Sequence, residues 1–337
     1  MFQGAHRALC RFVAPEIATA AVGKLQAAKE KSTMRSYTAA ISKFQAWRDG
    51  RIKDKVSPNE VMAYLTQLLV QNNSTSAVQV AASALKWYFS FYAGPNPVDS
   101  VWIRTLLEGV RREGRIPTHR PKITEIEMRL LARWQAESIK DQRILTLLAT
   151  LYAGCLRPSE GTCLRRCQVQ LAPGRMVLYI IRDKTNKQGA GRPVVIQESP
   201  GRFCAVKLMK NWLQISPKSD YVFPCFKDCS RPISYDTARQ EWTRVATLLQ
   251  MPRHVTLHGF RGGAATKAIE EGAPVDEVMR HGRWKRVETL KAYVETSEKT
   301  TPVASSLMRR LRLDGETEVE DREASAPTSV PEEEDQR

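Results

Sequence analysis

Residues 253–297 read RHVTLHGFRGGAATKAIEEGAPVDEVMRHGRWKRVETLKAYVETS, and the organisation of the whole chain can be worked outward from them. His258 and Arg261 stand three apart, so one helical turn puts both on the same face. The helix-like run that carries them closes at Gly272, Trp284 follows in HGRW, and Tyr293 lies nine residues further on in LKAYVE. An arginine fork takes phosphate oxygens in pairs, histidine and indole N–H groups donate single hydrogen bonds, and a tyrosine oxygen is a potential nucleophile. Singly these residues are ordinary, since H-x-x-R is common by chance and a Trp–Tyr pair usually packs a core. Their weight depends on what precedes them.

The charge is unevenly placed. Across 337 residues Lys and Arg outnumber Asp and Glu by 52 to 36. Residues 314–337 hold ten acidic and two basic residues, which leaves +24 on residues 1–313 and −8 on the tail. A basic body of that size points to a polyanionic partner, most simply nucleic acid. The tail, rich in Glu, Ser and Pro and nearly without apolar residues, is expected to be disordered. Seven scattered cysteines, an odd number, suit free thiols in a reducing compartment. The pairs Cys163/Cys167 and Cys225/Cys229 lack a matching histidine, so no metal is expected. The longest nearly apolar run, 145–156, is too short to cross a bilayer. Residues 1–30 read as a flexible leader without the apolar core of a secretory signal.

Residues 31–112 show four helical patterns and no strand. Tyr37, Ile41, Phe44 and Trp47 share one face; Ser57-Pro58-Asn59-Glu60 is a capping box that opens a second helix. A third carries Val80, Ala84, Trp87 and Phe91, and a fourth Val101, Trp102, Leu106 and Val110. A basic, proline-containing linker follows at 113–122. With the arginines just before it, Arg111, Arg112, Arg115, Arg120 and Lys122 could lie along a phosphate backbone. Thr124 caps the next helix, and the apolar run 141–153 is a buried one. It empties into G-C-L-R-P-S-E, where Pro158 suits a first helical turn and Arg157 would project from its positive end. Strands at 176–181 and 192–196 flank a glycine-containing tip with Lys184 and Lys187.

In order, Arg157, Glu160, Lys184, His258, Arg261, Trp284 and Tyr293 resemble the catalytic set of the tyrosine recombinases, the phage integrase family. Lys184 is the better match for the family's hairpin lysine, with Lys187 the alternative. Trp at the penultimate station, where others carry His, is a variant found in the Cre recombinase. Gly282-Arg283-Trp284 resembles the recombinases of DIRS-type retroelements. His281 lies near the same station, but the nine-residue step to Tyr293 selects Trp284. The resemblance implies a mainly α fold with a small β-hairpin or sheet (α+β). A helical core-binding domain at 31–112 would precede a catalytic domain at 123–299 and a C-terminal helix at 300–313 exchanged between protomers. Arg157 and Arg261 would neutralise a DNA phosphate and Tyr293 attack it, giving a 3′-phosphotyrosine. His258 would assist proton movement, Lys184 protonate the leaving 5′-oxygen, Trp284 donate its N–H, and Glu160 orient His258 or Arg157. It further implies double-stranded DNA as partner, a homotetramer on two sites, no cofactor, metal or ATP, and an intracellular, DNA-associated place (the nucleus in a eukaryote), in the service of a mobile element, a phage or chromosome maintenance. A type IB topoisomerase, or a DNA-binding protein that keeps the fold without the chemistry, are the alternatives.

Deleting residues 314–337 is expected to leave the melting temperature unchanged. It should tighten binding to non-specific duplex by about tenfold at low salt, because a polyanionic tail competes with DNA for the basic surface; fluorescence anisotropy reads this, and unchanged affinity would refute the competition.

Overall fold

The computed structural model describes residues 6–7, 9–48, 55–92, 94–114, 121–181, 192–291 and 294. The chain forms two compact units, residues 1–118 and 119–337. Both are built mainly of helices, and the second adds a small antiparallel sheet.

The first unit comprises α1 (Pro15–Ala27), α2 (Lys31–Arg48), α3 (Pro58–Asn72), α4 (Thr75–Phe89) and α5 (Val101–Glu113). The presence of α1 corrects the expectation of a flexible leader. Pro15 opens it, Glu16 lies in its first turn and Lys24 in its last, each suited to its end of the helix dipole, and Ala18 is fully buried. The capping box at Ser57 forms as its spacing requires: Ser57 accepts from Glu60 N–H, and the Glu60 carboxylate accepts from Ser57 N–H at 2.8 Å. Ile41 and Phe44 meet Val61, Tyr64 and Leu65 and the Val78–Leu85 face of α4. Four apolar expectations fail there, since Phe91 and Val101 are exposed together with Val80 and Trp102. Trp102 is 71% exposed, because the buried stripe of α5 runs through Ile103 and Val110, seven apart. Val80 is likewise exposed, since α4 turns Val78, Ala81 and Leu85 inward. Arg111 and Arg112 sit in the last turn of α5.

In the second unit α6 (Glu125–Arg133) and α7 (Ile139–Ala153) both begin with capping boxes, at Thr124 and Ser138. The five-residue α8 (Pro158–Thr162) follows. Next comes the three-stranded sheet β1 (Val169–Ala172), β2 (Arg175–Ile180) and β3 (Arg192–Gln197), antiparallel throughout, with Val177 opposite both Gln170 and Val195. Beyond it lie α9 (Ala205–Ile215), the short pair β4 (Pro224–Cys225) and β5 (Asp228–Pro232), and α10 (Tyr235–Leu248). The chain then runs through α11 (Leu257–Glu270), α12 (Val275–Gly282) and α13 (Val287–Lys291). Helix α7 is the axis, buried from Arg143 to Leu151 and packed by α9, α10 and α11. Its buried Arg143 pairs with Glu241 and donates to the Pro224 carbonyl at 2.7 Å. The indoles of Trp212 and Trp242 donate to the carbonyls of Val222 and Val255. No helix among the described residues is long and apolar enough to cross a membrane.

Helix α11 owes its place to glycine. Gly259, Gly262 and Gly263 present a bare face on which residues 121–123 lie, and Ile123 N–H donates to the Gly259 carbonyl at 3.3 Å. A methyl on Gly259 would stand 2.7 Å from the Pro121 oxygen, and one on Gly263 would collide with the Ile123 carbonyl. Lys122, expected on an open strap, is instead 7% exposed with its stem against Gly262. Its long methylene chain is what fills the missing side-chain volume there.

Gly263→Ala should therefore cost about 3 kcal/mol, as overpacking against rigid backbone does. Gly109→Ala, with nothing within 4 Å of the added methyl, should stabilise by about 0.5–1 kcal/mol through helix propensity. Urea denaturation of the two variants checks both signs.

Candidate active site

Helix α7 ends at Gly154, and Cys155, in a left-handed conformation at φ 44°, turns the chain so that Arg157 becomes the N-cap residue of α8. Glu160, one turn on, reaches back: its Oε2 accepts from Arg157 N–H at 2.8 Å and its Oε1 from Arg157 Nη1 at 2.6 Å. The Glu160 side chain is 3% exposed and that of Arg157 18%, so Arg157 is the member of the pair that keeps surface. With only five residues, α8 supplies little dipole; the positive character of the site comes from side chains.

Arg261 enters from α11, one turn after the half-buried His258, and has no exposed surface. Its Nη2 donates to the Gly282 carbonyl at 2.6 Å and its Nη1 to the Cys155 carbonyl, binding the end of α12 to the turn before α8. Its guanidinium carbon lies 4.1 Å from the centre of the Trp284 ring, within cation–π range. Trp284 belongs to a small apolar cluster with Cys155, Ala264, Ala265, Val278 and Leu290, against which Val294 packs. Gly282 is required here, because the indole folds back over it and leaves no room for a Cβ.

Arg283 completes the arrangement. Its side chain is 1% exposed and donates through Nη2 to Glu160 Oε2 at 2.7 Å and through Nη1 to the His281 carbonyl at 3.1 Å. Two guanidiniums thus pair with one carboxylate, and a third, that of Arg261, lies within its electrostatic reach. Burial first, then repulsion from Arg157 and Arg283, lower the Arg261 pKa to about 10 against the pull of Glu160, so it remains charged at neutral pH. His281 donates through Nε2 to the Ala153 carbonyl at 2.8 Å, and burial with the two nearby arginines pushes its pKa down. The Cys155 thiol is pushed up to about 11 by burial and stays protonated. All seven cysteines are free thiols, with Cys163 and Cys167 exposed.

This arrangement coincides with matches to known proteins. Residues 122–300 match the model of the phage integrase family and residues 24–95 that of the phage integrase N-terminal SAM-like domain. The chain belongs to the phage integrase family. A probable integrase/recombinase of Acholeplasma phage L2 is 28% identical over 124 residues, which are 36% of this chain and 39% of that relative's length. Among solved structures, the XerH site-specific recombinase bound to palindromic difH substrate superposes with a TM-score of 0.63 at 16% identity, over 82% of this chain and 80% of that one. The Tn1549 transposon integrase in complex with transposon right end DNA gives 0.61 at 13% identity, over 87% and 97%. A lambda integrase dimer bound to a core site gives 0.58 at 13%, over 81% and 92%. At these identities the likeness shows the fold, mainly α with a small antiparallel sheet.

Of the family's stations, Arg157, Glu160, Arg261 and Trp284 converge in the structure, with His258 on the same helix as Arg261. Glu160 bonds Arg157, one of the two partners expected, and Arg283, which was not. Arg261 differs from expectation, since both Nη groups serve protein carbonyls rather than an open surface. Leu290 is buried, whereas Val287 on the same short helix is exposed. Lys184, Lys187, Arg115, Arg120 and Tyr293 lie outside the described residues. Arg283 and His281 were missed as members of the site. The tripeptide that contains Arg283 was read for its tryptophan, and nothing in a sequence announces an arginine in a left-handed cap.

The two arginines should separate in stability. Arg261→Met strips two buried carbonyls of donors and should cost about 3 kcal/mol. Arg157→Met leaves Glu160 paired with Arg283 and should cost about 1 kcal/mol. Equal losses in denaturant melts would contradict this division.

Proposed function

We propose that the protein is a tyrosine-type site-specific DNA recombinase that cleaves and rejoins duplex DNA through a 3′-phosphotyrosyl bond. The observation that carries this reading is the surplus of positive charge about Glu160: three guanidiniums, one carboxylate, and one arginine of the three, Arg157, that keeps surface. A phosphodiester offsets that surplus. Arg157 binds nonbridging oxygens of the scissile phosphate, and Arg261, sealed against Trp284, stabilises the added charge of the transition state from beneath.

Tyr293 attacks the phosphorus, its oxygen forming the new P–O bond while the bond to the 5′-oxygen breaks. His258 assists removal of the phenol proton, and Lys184, with Lys187 the alternative, protonates the departing 5′-oxygen. The ester conserves the energy of the broken bond, so a second 5′-hydroxyl restores the backbone by the reverse step with no nucleotide and no metal. Arg111, Arg112, Arg115 and Arg120 contact backbone phosphates, which makes binding salt-dependent. Residues 31–112 and 123–299 act as core-binding and catalytic domains joined by the 113–122 linker. Four protomers assemble on two DNA sites, residues 300–313 passing between neighbours. The tail after 313 plays no part in the chemistry.

Tyr293→Phe removes one oxygen and almost no volume, so it should bind duplex like the wild type yet form no covalent adduct. The assay is a nicked suicide duplex incubated in EDTA and resolved on a denaturing gel. Trp284→Phe should slow adduct formation by about 10–100-fold, within the loss typical of one transition-state donor. An adduct that persists in Tyr293→Phe would place the nucleophile elsewhere, and wild-type cleavage that needs added magnesium would overturn the mechanism.

A further inference from the structure

We infer that Arg283 is a positioning residue of this site: it offsets the charge of Glu160 and so leaves the Arg157 guanidinium for the scissile phosphate. The inference rests on the recombinase reading above and adds to it a residue outside the expected catalytic set.

The backbone makes Arg283 an unlikely choice on local grounds. It is the left-handed residue that ends α12, at φ 61° and ψ 36°, with Trp284 N–H bonded to the Met279 carbonyl at 2.9 Å around it. Glycine meets that geometry without strain, and a branched or long side chain is disfavoured there. A strained residue that persists marks a constraint the surrounding structure imposes. Here the constraint is visible. From this position alone the side chain drops into the turn between α7 and α8, reaching the Gly154 carbonyl at 3.5 Å, the Cys155 carbonyl at 3.4 Å and Glu160 Oε2 at 2.7 Å.

The electrostatic consequence is specific. If Glu160 faced Arg157 alone, the two charges would cancel and the pair would have no net attraction for an anion. With Arg283 holding Oε2, Arg157 keeps a single side-chain bond, to Oε1, and the cluster as a whole carries a net charge of about +2. The carboxylate keeps the Arg157 fork in place, and Arg283 prevents it from cancelling that fork.

The test compares Arg283→Met, Arg283→Lys and the double variant Arg283→Met/Glu160→Gln in the trapping assay with saturating nicked duplex. We expect Arg283→Met to lower the trapping rate about 100-fold while duplex affinity changes by less than about threefold, because affinity is spread over many phosphate contacts. Removing the carboxylate as well should restore about tenfold of that rate, since it returns the lost net charge. A purely structural role would behave otherwise, because Glu160→Gln strips further ion-pair bonds and could only deepen the defect. Wild-type trapping in Arg283→Met, or a double variant no faster than the single one, overturns the inference and leaves the recombinase reading intact. Should Arg283→Met fail to fold, Arg283→Lys decides: it keeps the charge and should trap within about tenfold of wild type, and a folded but inactive Lys variant overturns the idea. If wild type forms no adduct, the recombinase reading falls, and calorimetry with inorganic phosphate judges Arg283 by itself. Weaker phosphate binding in Arg283→Met with recovery in the double variant supports it; equal or absent binding refutes it.

Discussion

A guanidinium withdrawn from water must be given acceptors, and in this protein that demand, made by Arg261, fixes where three separate pieces of chain lie. Its donors end on the carbonyls of Cys155 and Gly282, so the turn after α7 and the end of α12 cannot drift apart without orphaning a buried charge. The flat face of the same group lies against Trp284, which sets the direction in which the chain leaves α12. Each neighbouring peculiarity follows from this arrangement: no side chain at Gly282, a left-handed Arg283, and a left-handed Cys155 that turns its carbonyl toward two arginines.

The same logic explains the composition of α11. A helix that must deliver an arginine into the interior has to come close to whatever covers it. The Gly259, Gly262 and Gly263 face lets residues 121–123 lie directly on its backbone. Lysine serves as a buried residue there because its stem, rather than its charge, occupies the space over Gly262. Charge and packing are therefore divided along one helix: the glycine side sets the approach, and Arg261 carries its charge to the carbonyls of Cys155 and Gly282.

Much of this was legible in the sequence, and the limits have physical causes. Helix starts were readable where caps are local: Ser57 and Thr124 each bond a backbone N–H three residues away, whereas the cap at Ser138 was not anticipated. The stations Arg157, Glu160, Arg261 and Trp284 were readable because residue type and order survive in a linear string. Faces were less readable. Trp102 looked like core and is exposed, since apolar residues at neighbouring positions allow more than one helical stripe and only the partner helices choose between them. Lys122 looked like surface and is buried, because its burial depends on glycines about 140 residues away. Arg283 was invisible as a site residue because its role arises from a backbone conformation that favours glycine.

Four bonds of the cluster join the stretch 153–160 to the stretch 281–284, across 123 to 129 residues of chain. Contacts of such long sequence separation form late, once the intervening loop has been closed by other structure. On a ribosome, a chain that has emerged only as far as the sheet or α10 already holds Arg157 and Glu160 but none of the groups that organise them. The arginine cluster is therefore complete only once residues 281–284 have been made, and a product that stops before them holds Arg157 and Glu160 without Arg283.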